Sequence, residues 1–287
     1  MPTSDIMLAA LELTEVEPEL FDRAWTARTQ YVPWEKAYGG DMVAQAAMAA
    51  MESCPDKVMN SMHSYFMRPV DIGAEIRYEV ELLRDGRGYA TRQVRGVQNG
   101  KFVYVCLASF HAAPELGEVI QPPMPADLPD PESLPSSAEY LSGRDDPASR
   151  YYSEGRSFDM RHVPGPIYFT IEGERTPHQA IWVKSFSPLP DGDNLHRAAL
   201  AYVCDYTIIE PTLRALDWPW EGEGKPLTAS LDHAMWFHRP ARVDQWLSYA
   251  QECAGYGSQR GLGTGRFFTQ AGELVATLAQ EAMIRKP

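Results

Sequence analysis

The sequence has few of the features that mark common metal and nucleophile sites. It contains four cysteines in 287 residues, and no two of them form a CxxC pair. Because HExxH is also missing, no pattern for a zinc site is present, and the absence of GxSxG removes the usual serine-hydrolase elbow. We therefore expect no metal and no other cofactor. Scattered thiols of this kind are expected to be reduced in a cytoplasmic protein.

Positive charge and long apolar runs are scarce as well. The chain has 26 Lys and Arg against 39 Asp and Glu, a formal net charge of −13. This balance argues against nucleic acid or an anionic membrane surface as the main partner. No apolar run approaches the roughly 18 residues of a membrane span, and no basic segment leads into an apolar one at the N-terminus. We expect a cytoplasmic protein without a membrane span.

The hydrophobic residues, 44% of the chain, are arranged in helical and strand-like segments. Gly39-Gly40-Asp41 precedes an Ala- and Met-rich stretch over residues 42–51, which predicts a buried helix because both residue types favour helices. Four strand-like segments follow it, at residues 58–67, 74–83, 89–97 and 102–110. One helix followed by antiparallel strands predicts an α+β unit with the helix packed on a sheet.

The same order recurs after a proline-rich stretch. Phe66-Met67-Arg68-Pro69 is echoed by Phe237-His238-Arg239-Pro240, and Gln98-Asn99-Gly100 by Gln270-Ala271-Gly272. The nearly constant spacing, about 170 residues, indicates an internal duplication. We therefore divide the chain into a first unit (1–115), a Pro-rich linker (116–160) and a second unit (161–287).

Three polar residues of the second unit need an explanation. Residues 194–209 are apolar on nearly every side, which predicts a buried helix stopped by Pro211, yet this segment contains Asp205. An unpaired buried carboxylate is costly, so Asp205 needs partners or a raised pKa. Gln280 is the one polar residue on the apolar face of a strand over 274–285, where Ser109 takes the matching place in the first copy. Ser230 shares a face with Asp232, and either residue suits a solvated sheet or a functional site.

Several phrases resemble the acyl-CoA thioesterase II family. In the first unit they are Gly39-Gly40-Asp41 before the Ala-rich helix, the stretch His63 to Pro69, Leu83 to Gly86, Arg92 to Gly100, and Ala108-Ser109-Phe110. In the second unit they are Asp232 to Pro240 (DHAMWFHRP) and Ala279 to Arg285 (AQEAMIR). The resemblance implies an α+β double hotdog, in which two fused units each wrap an antiparallel sheet around a helix. It also implies an acyl-CoA substrate and a homodimer or higher homo-oligomer.

By position, the resemblance assigns the family's catalytic trio to Asp205, Ser230 and Gln280. The hypothesis is hydrolysis of acyl-CoA to a free carboxylic acid and CoA, as in fatty acid metabolism, with Asp205 as general base on a water molecule. Ser230 and Gln280 would position that water. Direct attack by Asp205, which would form a mixed anhydride, is an alternative route. Asp232 and His238 are then expected to have structural or lining roles.

Two other functions stay open at this point. Asp191 and His196 have the Asp-x4-His spacing of hotdog enoyl-CoA hydratases, although their place at a helix start also suits capping. A non-catalytic acyl-CoA-binding module is the second alternative. Assays for hydration of a 2-enoyl-CoA and for CoA release separate the three functions.

Overall fold

A computed structural model describes residues 2–112 and 117–286. Over these residues, thirteen strands form one antiparallel sheet, accompanied by six α-helices. The strands are β1 Thr14–Val16, β2 Arg23–Arg28, β3 Val58–Phe66, β4 Glu75–Asp85, β5 Tyr89–Gln98, β6 Lys101–His111, β7 Phe158–His162, β8 His178–Ser185, β9 Leu227–Ser230, β10 Asp232–Phe237, β11 Leu247–Gly257, β12 Arg260–Thr269 and β13 Leu274–Arg285. The helices are α1 Asp5–Ala10, α2 Gly39–Glu52, α3 Ser137–Tyr140, α4 Pro147–Arg150, α5 Asp193–Val203 and α6 Glu210–Leu216.

The sheet consists of two similar halves joined at its centre. Its order is β1-β2-β4-β5-β6-β3-β10-β13-β12-β11-β8-β7, with β9 paired to β13 beside this path. Strands β3 and β10 form the junction, where Met62 lies opposite Met235. Each of them ends on the phenylalanine of a repeated phrase, Phe66 or Phe237. The predicted duplication is thus visible as two equivalent strand sets.

The first half matches the prediction closely. Helix α2 packs on the inner faces of β4 and β5, and eleven of its residues are buried. The helix begins at Gly39, three residues before the predicted start. The hairpin between β5 and β6 turns at Asn99 and Gly100, which both have positive φ, as the Asn-Gly signal predicts.

The prediction of one helix over residues 194–209 is wrong. Helix α5 ends at Val203, a 3-10 turn covers Cys204–Tyr206, and α6 starts anew at Glu210. Pro211 does not stop a helix but lies in the first turn of α6, where its missing N–H costs nothing. Helix α5 packs against α2, whereas α6 packs on β11 and β12. Asp205 therefore lies in a joint between helices and not within one.

A break between β9 and β10 corrects a second prediction, that Ser230 and Asp232 share a face. Ser230 lies opposite Ala282, but Ala234 lies opposite Ala279, so the pairing slips by one residue at Leu231. A slip of one residue moves side chains to the other face of a sheet. Ser230 points inward as a result, and Asp232 lies opposite Tyr65 on the outer face.

The Pro-rich region is ordered by contacts with the second half. Residues 117–157 contain α3, α4, a 3-10 turn at Pro131–Ser133 and a π-helix at Tyr151–Gly155. Trp182 donates from Nε1 to the carbonyl of Pro129 (3.0 Å), which fixes the segment over β8. The division of the chain at residues 115 and 160 stays a proposal. No helix in the described ranges is long and apolar enough to cross a membrane.

Candidate active site

Long-range hydrogen bonds from β11 hold the turn that contains Asp205. The Tyr249 hydroxyl donates to the carbonyl of Cys204 (3.1 Å), and Gln251 Nε2 donates to Thr207 Oγ1 (2.7 Å). The first bond satisfies a backbone carbonyl that the interrupted helix leaves without a partner. The two bonds fix the backbone on both sides of Asp205, which itself remains partly exposed.

The structure brings Asp205, Ser230 and Gln280 together. Gln280 Nε2 donates to Asp205 Oδ1 (2.5 Å) and to Ser230 Oγ (2.9 Å). The Ser230 hydroxyl donates to the same Asp205 oxygen at 3.2 Å. Each side chain thus contacts the other two. Within the described residues, Gln280 Oε1 is buried and accepts no hydrogen bond, so one acceptor of the trio is unoccupied.

The strand register explains why Gln280 faces Asp205. Along β13, the buried positions include Leu278, Gln280, Ala282 and Ile284, as the alternating pattern predicts. The prediction that Ser109 is the counterpart of Gln280 in the first copy is wrong, because the equivalent position is one residue earlier, at Ala108. Ser109 lies on the less buried face of β6, and its neighbour Ala108 faces α2. The first half therefore has no amide at the position equivalent to Gln280.

The start of α2 completes the site from the first half of the chain. A Cβ atom added to Gly39 would lie 2.7 Å from Asp205 Oδ2, and one added to Gly40 would lie 2.4 Å from the carbonyl oxygen of Tyr202. Both distances are too short for any side chain. The two glycines therefore allow the positive end of the α2 dipole to approach the Asp205 carboxylate.

Burial raises the pKa of Asp205 above the ordinary aspartate value. Hydrogen bonds from Gln280 and Ser230 and the backbone N–H of Gly40 stabilise the ionised form and oppose that rise. Such a balance moves a carboxylate toward the range in which it can take up a proton near neutral pH.

A neighbouring carboxylate, Asp41, was not predicted as a site residue. It lies in the first turn of α2, fully buried, and accepts hydrogen bonds from the Gln30 backbone N–H (3.0 Å) and Nε2 (3.4 Å). Desolvation raises the pKa of Asp41 to about 8, and the nearby Asp205 contributes to the rise. The sequence pattern predicts a helix that begins only at residue 42, so it does not show that Asp41 is buried in that helix.

The structure does not bring Asp191 and His196 together. Asp191 is exposed and paired with Arg242 (2.7 Å). His196 is buried, and its Nδ1 accepts a hydrogen bond from the backbone N–H of Val243 at 3.2 Å. Among the described residues, no hydrogen bond or ion pair joins the two side chains, so the Asp-x4-His spacing does not form a contacting pair here.

The other conspicuous polar residues have structural contacts. Asp232 Oδ1 accepts a hydrogen bond from the backbone N–H of Glu281 (2.8 Å) and thereby closes the strand break beside Ser230. His238 Nε2 contacts Thr277 Oγ1 at 2.9 Å. In the described part of the chain, no three His, Cys, Asp or Glu side chains are grouped as metal ligands.

Each half of the chain matches a known family domain. The family domain described as "Acyl-CoA thioesterase N-terminal domain" matches residues 30–111, and the "Acyl-CoA thioesterase C-terminal domain" matches residues 125–284. The human protein named acyl-coenzyme A thioesterase 8 is 33% identical over 98% of this chain and 89% of its own length. The chain belongs to the acyl-CoA thioesterase II family. It is accordingly an acyl-CoA thioester hydrolase, which removes the non-catalytic binding module as an alternative.

Solved structures agree with this assignment and with the fold. An acyl-CoA thioesterase II from Mycobacterium marinum has a TM-score of 0.77 and 33% identity, covering 97% of this chain and 98% of its own. A protein from Alicyclobacillus acidocaldarius described as having a hot dog fold has a TM-score of 0.76. It is 20% identical and covers 97% of both chains, a likeness that shows the fold alone. The predicted double hotdog is confirmed.

Proposed function

We propose that this thioesterase hydrolyses acyl-CoA by attack of a water molecule that Asp205 activates as general base. The observation that supports the proposal is the mutual hydrogen bonding of Asp205, Ser230 and Gln280 beside the start of α2. A base must lie within hydrogen-bond reach of the proton that it removes, and its pKa must be near the working pH. Burial raises the pKa of Asp205, which moves it in the direction that the second condition requires.

The distribution of hydrogen bonds suggests where the water binds. Ser230 and Gln280 both donate to Asp205 Oδ1, so Oδ2, which faces the start of α2, accepts from neither side chain and is the oxygen proposed as the base. The unoccupied Gln280 Oε1 offers a second acceptor for the same water. A water that donates one hydrogen to each oxygen has its lone pair directed at the substrate, which is a positioning contribution.

The chemical step then balances without any further reactant. The water oxygen bonds to the thioester carbon while its proton passes to Asp205, and the carbonyl oxygen becomes negatively charged. The positive end of α2 at Gly39 and Gly40 stabilises this charge. Collapse of the intermediate breaks the carbon–sulfur bond. CoA leaves as a thiolate that takes the proton from Asp205, and the carboxylic acid is released.

The test is Asp205→Asn, which keeps the shape of the side chain and removes the base. We expect turnover in a thiol-release assay with a panel of acyl-CoA substrates to fall about 10²- to 10⁴-fold, the contribution typical of general-base catalysis. Circular dichroism should show an unchanged fold. Near-normal hydrolysis by this variant would falsify the assignment.

Two broader predictions accompany this function. The acyl-CoA substrate follows from the family, whereas the homodimer or higher homo-oligomer and the cytoplasmic location stay predictions. Sedimentation of the purified protein tests the predicted oligomer, and a chain that sediments as a monomer at micromolar concentration contradicts that prediction.

A further inference from the structure

His233 is a buried histidine that the proposed mechanism does not use. It is 1% exposed and follows Asp232 at the start of β10. Its backbone carbonyl accepts a hydrogen bond from Ser64 Oγ of β3 (3.1 Å), which fixes it at the junction of the two halves. A buried imidazole needs hydrogen-bond partners, so its contacts indicate its role.

The partner of its ring is the cysteine that precedes Asp205. His233 Nε2 lies 3.3 Å from Cys204 Sγ, and this sulfur lies 3.1 Å from the carbonyl of Ala201. Among the described residues, His233 Nδ1 is buried without a partner. One arrangement satisfies every donor: Nε2–H donates to the sulfur, S–H donates to Ala201, and Nδ1 is an unprotonated acceptor. The alternative tautomer would bury an unpaired N–H at Nδ1, which is more costly.

This contact fixes the Asp205 turn relative to the two strands that face it. Cys204 is held by His233 through its sulfur and by Tyr249 through its carbonyl oxygen. His233 itself adjoins Asp232, which anchors the backbone of Glu281 next to Gln280. His233 and its neighbour Asp232 therefore connect the Asp205 turn, through β10, to the strand that carries Gln280.

We propose that His233, through its contact with Cys204, is a positioning residue that holds Asp205 at hydrogen-bond distance from Ser230 and Gln280. The inference rests on the proposed function, because it concerns the geometry of the same trio. Catalytic geometry is sensitive to such support, since a displacement of about 1 Å can cost 10²-fold in rate. The thiol is not itself a reactant here, because burial raises the pKa of Cys204 well above its ordinary value.

The first test compares two replacements of His233. Gln retains an N–H donor near the position of Nε2, whereas Leu fills similar space without one. For His233→Leu we expect kcat to fall about 10- to 100-fold with KM changed less than about twofold, and for His233→Gln we expect most of the loss to be recovered. His238→Leu, at an exposed histidine in the same segment, is the matched control and should behave as the wild type.

A second test does not depend on the Leu variant folding. In Cys204→Ala the sulfur is absent, so kcat should fall in the same way with His233 intact. Adding His233→Leu to Cys204→Ala should cause little further loss if the two residues act as one contact. Long-range ¹H–¹⁵N spectra should show the ring proton on Nε2 from pH 5 to pH 9. Burial lowers the pKa of His233 to about 3, so no titration is expected in that range.

Any of four results overturns the inference: wild-type turnover in the His233 variants, equal losses in the Gln and Leu variants, a change in KM alone, or additive losses in the Cys204→Ala/His233→Leu pair. These outcomes are separable from failure of the proposed base. If Asp205→Asn abolishes turnover while the His233 variants do not affect it, only the positioning role is wrong. If Asp205→Asn keeps wild-type turnover, the base assignment is wrong, and the positioning role, which rests on it, falls with it.

Discussion

The ionisation of Asp205 sets the expected pH dependence of hydrolysis. A general base acts in its ionised form, so kcat/KM should rise with pH as Asp205 loses its proton. Because burial raises the pKa of Asp205, this rise should be centred above the ordinary aspartate value of 3.8. A pH profile of kcat/KM with an acyl-CoA substrate measures it. The residual activity of Asp205→Asn should not show this rise with pH. A rise that persists in this variant would assign the titration to another group.

Asp41 should stabilise the folded chain less as pH rises, whereas a salt-bridged carboxylate stabilises it more. Its folded-state pKa of about 8 exceeds the unfolded value near 3.8, so between these values the folded chain holds a proton that the unfolded chain has lost. The contribution of Asp41 to the free energy of unfolding therefore falls as pH rises from 4 to 8, by up to about 1.4 kcal/mol per pH unit. Urea unfolding of the wild type and Asp41→Asn between pH 5 and 8 checks this. When the free energy of unfolding is plotted against pH, the values for the two proteins should converge toward low pH. Parallel plots contradict the raised pKa of Asp41.

The residues of the site differ in how far the sequence identified them. Gln280 was detectable because a strand face with five apolar residues and one amide violates the alternating pattern. The prediction of Ser230 rests mainly on the resemblance, since the one-residue slip at Leu231 places it on a face that strict alternation does not predict. Asp41 is not predicted from the sequence, because the predicted helix begins at residue 42 and its amide partner, Gln30, lies in an irregular segment with no pattern of its own.

At the scale of elements, the close approach of α2 to the Asp205 turn leads to a prediction about Gly39. Alanine at this position would place Cβ 2.7 Å from Asp205 Oδ2 and would displace either the carboxylate or the helix start. We expect Gly39→Ala to lower kcat about 10- to 100-fold, as for other small displacements of catalytic groups. Gly88→Ala is the control, because its Cβ meets no atom within 4 Å. Equal activity of the two variants would show that the approach is not needed.

The elements that the sequence predicted well are those determined by local pattern. Helix α2 and strands β3 to β6 follow from short-range periodicity and the Asn-Gly turn. The sequence does not predict the break between α5 and α6, because the bonds that stabilise it come from Tyr249 and Gln251, more than 40 residues away. An apolar pattern identifies a buried segment but not the position at which distant side chains interrupt it.

At the scale of the whole molecule, the duplication places one site across two halves. Asp205, Ser230 and Gln280 belong to the second half, whereas Gly39 and Gly40 belong to the first. The halves are joined by the pairing of β3 with β10, and by a hydrogen bond from Gln30 Nε2 to the Tyr202 hydroxyl at 2.5 Å. The duplication is predictable from the sequence. That residues of both halves form one site depends on contacts that no local sequence pattern encodes.

The two halves should therefore be active only together. Expressed alone, residues 117–287 would keep the trio but lose the helix start that supports it, and they would expose the unpaired edge of β10, which favours aggregation. We expect no thiol release above background from either half. Co-expression of residues 1–112 with 117–287 should restore the β3–β10 pairing and measurable hydrolysis. The full chain is the reference, and the same split pair with Asp205→Asn is the control for contaminating thioesterases. Full activity of residues 117–287 alone would mean that Gly39 and Gly40 make no contribution to catalysis.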